Sequence, residues 1–130
     1  MIKYGFSKEL DIPFDKAISV VTEALKKEGF GILTRINVDE KFKEKLGIDF
    51  KKYVILGSCN PSNAHKAILA EENIGLMLPC NVIIYENDDK KTVLSIIRPT
   101  VAMEMIGNDE LRNIAENVEK QLKRVFDSVS

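Results

Sequence analysis

The sequence predicts an α+β fold, a sheet with amphipathic helices packed on one face. Three observations lead there. Apolar or alternating segments of strand length recur along the chain. Longer segments between them carry apolar residues at offsets of three and four. The order reads β-α-β-(short α)-β-α-β-β-α, without linker, repeat or low-complexity stretch. At 130 residues the chain has the length of one domain, expected to run from 1 to 130.

The first strand is read at Ile2, Tyr4 and Phe6, which alternate with polar residues. Pro13 suits the first turn of a helix bounded by Asp11 or Ile12. Phe14, Ala17, Ile18, Val21 and Leu25 form its apolar stripe, Lys26 and Lys27 suit its C-terminal end, and Gly29 stops it. Phe30, Ile32, Thr34 and Ile36 alternate as a second strand reaching about Val38. Asp39 then caps a short charged helix with Phe42 and Leu46 inward and Gly47 at its end.

"KYVILGSC" is apolar on consecutive residues and reads as a more fully buried strand. Asn60-Pro61 supplies an N-cap and an N1 proline for a helix expected to reach about Glu72. "GLMLPCNVIIYE" is read as a long strand bent or bulged at Pro79, which cannot donate to a ladder. "NDDK" turns the chain, and "TVLSIIR" returns as the second strand of a hairpin. A loop over 99–107 leads to a last helix capped by Asn108 or Asp109, with Leu111, Ala115, Val118, Leu122 and Phe126 on its stripe. Glu116 with Lys120 and Glu119 with Lys123 have the spacing of favourable helical pairs. "YVIL", "VII" and "VLSII" are apolar on both sides, so a sheet covered by helices on one face leaves apolar surface on the other. A homodimer sharing that face is the simplest way to bury it.

Composition narrows the function. The net charge of -1 offers no excess of cations for nucleic acid, so none is expected as a partner. No apolar run approaches the roughly 18 residues that span a bilayer, so no membrane association is expected. The opening "MIKYGFSKEL" is no signal peptide. With only two cysteines, the expectation is a cytoplasmic protein with free thiols. No glycine loop of the phosphate-binding kind occurs. Arg98-Pro99-Thr100 could hold an anion at a strand end, though a solvated arginine explains it as well. Met103 and Met105 suit either an adaptable pocket or gap-filling core.

One stretch gathers the rarer side chains. In "GSCNPSNAH", Cys59 precedes the cap of a helix whose partial positive end favours a thiolate. His65, the sole histidine, lies one turn further, with Ile68 and Leu69 next on its face. The helix returns the chain ~18 Å at 1.5 Å per residue. If the flanking strands are parallel neighbours, Cys80 then falls level with Ser58 or Cys59. Cys59, His65 and Cys80, with Asn60 and Asn81 alongside, are therefore the candidate ligand-binding set. The first three are the candidate metal ligands, for a zinc or copper ion. The spacing fits no structural zinc pattern, and a phosphatase loop would need an arginine at His65. Thiol redox or thiol transfer through Cys59 is the alternative chemistry; a Cys59–Cys80 disulfide is geometrically possible but disfavoured by the reducing compartment expected. Helix capping alone accounts for Asn60-Pro61, so a non-catalytic structural or dimerisation module remains a third reading. Whether any reaction is catalysed is left open.

"GFGILTRINV", "ILGSCNP" with the later histidine and leucine, and "IGLMLPCNVIIYE" together resemble the family called domain of unknown function 302. The resemblance runs through nearly the whole chain. It implies a small bacterial or archaeal α+β protein with a twisted, largely antiparallel sheet backed by helices, similar to the TATA-binding-protein-like class, and a homodimer. The family's recurrent residues look like Cys59, Asn60, Pro61, His65, Pro79 and Cys80, with no established activity to carry over.

Overall fold

In the computed structural model, which describes residues 2–130, Met1 lies outside the described residues. The elements are β1 (Gly5–Leu10), α1 (Phe14–Lys27), β2 (Gly31–Asn37), α2 (Val38–Leu46), β3 (Tyr53–Cys59), α3 (Pro61–Ala70), β4 (Cys80–Glu86), β5 (Thr92–Ile97), α4 (Pro99–Ala102) and α5 (Asp109–Ser128). Short 3-10 turns follow α3 (Glu72–Met77) and α4 (Glu104–Ile106). The five strands form one sheet in the order β1-β5-β4-β3-β2, every neighbouring pair antiparallel. The α+β class and the antiparallel sheet are as expected.

The sheet's two faces follow from strand alternation. Val54, Leu56, Val82, Ile84, Leu94 and Ile96 are buried. They pack in one core with α1 and α5 through residues such as Val21, Leu25, Leu122 and Val125. Ile55, Ile83, Tyr85 and Ile97 alternate with them and are half-buried on the other face. A smaller core of Ala67, Ile74 and Leu111 lies under α3 and the two 3-10 turns, with Met77, Leu78, Met103, Ile106 and Ile114 against it.

Several boundaries differ from expectation for identifiable reasons. β4 begins at Cys80, not Gly75; residues 72–77 form a 3-10 turn and Pro79 stands just before the ladder, which it could not have joined. α3 stops at Ala70. The segment 99–107 is mostly helical, because Glu119 takes up the exposed donors at its start. α2 starts from Asn37 without a side-chain cap, while Asp39 Oδ1 instead accepts from the Tyr53 amide at 3.3 Å. Leu46 is 65% exposed rather than inward. β3 and β4 are antiparallel, so the parallel adjacency assumed for placing Cys80 is wrong. The level it gave holds anyway, since Ser58 pairs with Cys80 across the ladder.

Gly57 is required by close approach. A Cβ there would overlap Thr34 Oγ1 and lie 2.7 Å from Pro79 Cγ. Thr34 can turn away, but a proline ring cannot. Gly57→Ala is therefore expected to lower stability by about 1–3 kcal/mol through overpacking, read from the midpoint of urea unfolding. Gly31→Ala, where nothing lies within 4 Å, should leave that midpoint unchanged or raise it.

Candidate functional site

β3 ends where α3 begins, and the junction is built by side-chain caps. Asn60 Oδ1 accepts from the Asn63 amide at 3.2 Å, and Pro61 follows the cap. Gly29 makes room for the Asn60 amide: it has φ +84°, and a Cβ on it would meet Asn60 Nδ2 at 2.9 Å. α3 is then tied to α5 at both ends. Asn63 Nδ2 donates to Gln121 Oε1 at 2.9 Å near its start. Asn108, whose Oδ1 caps α5, donates from Nδ2 to the Ala70 carbonyl at 2.9 Å near its end. Small residues let the two helices approach: Ala64 and Ala67 on α3 line the same cavity as Ala115 and Val118 on α5.

That cavity lies at the seam between the two cores. It is a slot of about 30 Å³, more than the ~10–15 Å³ that one water-sized guest needs. Phe30, Cys80 and Val118 contribute to it from the main core, and Leu78, Met103 and Ile114 from beside the smaller one. Cys59, Asn60, Asn63 and Pro79 complete the end near the α3 cap. The Ser58 hydroxyl, fully buried, donates to the Cys80 carbonyl at 2.8 Å, so no free hydroxyl is left there. α4 is held over the slot by Glu119. Its Oε1 accepts from the Thr100 amide at 3.1 Å and hydroxyl at 2.6 Å. Its Oε2 accepts from Arg98 Nε at 3.2 Å. Arg98 is thus a partly exposed cation already paired with Glu119, not one free for an anion.

The structure brings Cys59, Asn60 and Cys80 together and leaves out two expected partners. His65 is exposed and does not line the slot, as are Ile68 and Leu69 (44% and 74%). The face on which the sequence placed them is the outer face of α3. Among the described residues no three His, Cys, Asp or Glu side chains come together as a metal-holding group, so the Cys59/His65/Cys80 trio is not assembled. Asn81 is exposed on the opposite face of β4 from Cys80. Met103 does reach the slot, whereas Met105 is 79% exposed. Phe30 and Asn63 line it without having been singled out. Their signals were the glycine before Phe30 and the position of Asn63 three residues after the cap.

The thiols behave as buried groups. Burial pushes the Cys59 thiol up, against the lowering expected from the helix start. Burial, then the neighbouring Cys59, push Cys80 up from 9.0 to about 11. Both cysteines are free. Among the described residues, no helix is long and apolar enough to cross a membrane.

Residues 6–129 match the family described as "Domain of unknown function DUF302". The fold is also similar to the crystal structure of an uncharacterized conserved DUF302 protein from Bacillus stearothermophilus. The two share a TM-score of 0.92 and 31% identity, over 99% of this chain and 100% of that one. No curated protein matches the chain significantly. The chain belongs to the DUF302 family, as the Cys-Asn-Pro and Leu-Pro-Cys-Asn stretches implied.

The Cys80 thiol carries a pH prediction. Between pH 9 and 11 the folded protein holds a proton that the unfolded chain releases, so stability falls as pH rises through this window. The loss approaches about 2–3 kcal/mol. Chemical denaturation across that range should show it, and Cys80→Val should remove this part of the alkaline decline while leaving the part due to other groups.

Proposed function

We propose that this member of the DUF302 family is a binding protein rather than a thiol enzyme, and that its site is the slot beneath the β3–α3 junction. The slot itself carries the reading: a small concavity, mainly apolar, at the seam of two cores, with two thiols and two amides at one end. The raised thiols weigh against the alternative of thiol transfer or redox exchange, which needs a thiolate near neutral pH. A purely structural module would leave the same residues in place, and the difference lies in whether the slot accepts a guest. Xenon is the simplest probe. In xenon-saturated buffer the amide resonances of Ala67 and Val118 should shift, and Ala64→Leu, which fills the slot, should abolish those shifts. Shifts absent from the native chain would argue for the structural reading.

We also propose that the chain works as a homodimer joined through the open face of the sheet. Tyr53 and Tyr85 stack there with centroids 5.3 Å apart, and Lys51 lies over the Tyr85 ring at 5.4 Å. Ile55 and Ile83 pair beside them, above a shallow concavity of about 470 Å³ bordered by Tyr4, Ile97 and Asn81. Across the strands the row runs Tyr53, Tyr85, Val93, Glu9. A two-fold axis along the strands reverses this row and sets the tyrosine end of one chain against the Glu9 end of the other. Light scattering should give twice the chain mass, and Ile83→Lys, at the centre of the face, should give the monomer with unchanged circular dichroism. A native chain that is monomeric at tens of micromolar would remove this proposal.

A further inference from the structure

The geometry points to a soft, monovalent metal ion as the guest of the slot, held by sulfur alone: Cys59, Cys80 and the thioether of Met103, with copper(I) as the ion. The inference rests on the reading of the slot as a ligand site. The chain has two cysteines and four methionines. Both cysteines and Met103 line this one cavity. They arrive from three separate elements: the end of β3, the first residue of β4 and the residue after α4.

Most of the polar groups at the slot are engaged elsewhere. Ser58 Oγ is committed to the Cys80 carbonyl, Asn60 Oδ1 accepts the Asn63 amide, and the Asn63 side chain is turned to Gln121 through Nδ2. No carboxylate or imidazole lines the cavity. Hard cations such as calcium and magnesium need oxygen ligands, and structural zinc needs four donors. Thiolate and thioether donors select copper(I). An apolar slot of about 30 Å³ has room for one ion without a hydration shell.

Met103 is placed by the same contacts that hold α4. Its amide donates to the Pro99 carbonyl at 2.9 Å, and Glu119 fixes the start of that turn through Thr100. Binding leaves the oxidation state unchanged. The copper enters as copper(I), bonds form from it to the two cysteine sulfurs, and the two thiol protons pass to solvent. The site then carries one net negative charge beside the start of α3, whose ten residues present their partial positive end there.

The test uses the full chain, reduced and anaerobic, titrated against the copper(I)–bicinchoninate complex. The native protein should withdraw one copper(I) per chain, and Cys59→Ser should withdraw none. Met103→Leu, a volume-conserving change, should weaken binding by about tenfold or more, since even outer groups at metal sites commonly contribute that much. His65→Ala should bind as the native chain does. X-ray absorption at the copper edge should show a sulfur-only shell, a readout on native protein that holds even if Cys80→Ser fails to fold. No copper uptake, equal uptake by Cys59→Ser, or nitrogen in the copper shell would overturn the assignment, and an unaltered Met103→Leu would remove the thioether from it. Xenon entry without copper uptake would sink the metal and keep the slot; failure of both would sink both readings.

Discussion

The hydrogen bond from Ser58 Oγ to the Cys80 carbonyl closes the excursion on which the site depends. Between β3 and β4 the chain leaves the sheet, forms α3 and a 3-10 turn, and returns beside its point of departure. Closing a loop of that length carries an entropic cost that grows only slowly with length, but both ends must be held in register. Backbone pairing of Ser58 with Cys80 does this on one level, and the buried hydroxyl adds a second bond at the same place. A free Ser58 hydroxyl there would be an unsatisfied polar group in the core, so the bond also answers for its own burial. Cys59 and Cys80 come to one cavity because each is next to, or part of, that pair.

What α3 does with its excursion follows from residue size. A helix with Ile68 and Leu69 would ordinarily turn them inward, yet both are exposed, and the buried position is Ala67. α3 lies close to α5 through alanines, and the amides of Asn63 and Asn108 clamp it at both ends. Larger side chains on that face would push the helices apart and separate the two cores. As it is, the main core and the smaller one meet along a seam filled incompletely, and the slot is what remains. The same clamp explains why Asn108 rather than Asp109 caps α5: its side chain serves the α5 start with the oxygen and the α3 end with the nitrogen.

Elements whose signals are local were legible in the sequence. The Asn60-Pro61 start, the stripe of α5 and the hairpin at Asn87–Lys91 depend on neighbours within a turn or two, and they stand where the pattern placed them. Readings that needed a partner fared less well. The face of α3 was assigned by apolarity, whereas close packing between helices selects small residues. His65 was drawn to the site by its rarity, and rarity carries no geometry. Asn81 was included because it follows Cys80, but adjacent strand residues point to opposite faces. The expected Glu119–Lys123 pair has the right spacing, and Glu119 instead turns to Arg98 and Thr100, where backbone and side-chain donors outcompete an exposed ammonium. Met103 was noticed for its adaptability, but only the position of α4 could show where it goes.

Strand alternation divides the molecule's two surfaces while β3 and β4 supply both. Cys80 faces the slot and Asn81 the open face; Leu56 is in the core and Ile55 is not. The partition is tightest at Gly57, where Thr34 on the open face and Pro79 at the edge of the slot both occupy the space a side chain would need. Pro79 therefore belongs to the lining of the slot while resting on the backbone of β3. Any guest that moved the proline would press on Gly57, and through it on the row of Thr34 and Asn81 beside the proposed dimer face. Of the two groups beside Gly57, Thr34 can turn away and the proline ring cannot, so such pressure would pass chiefly from Pro79 to the β3 backbone.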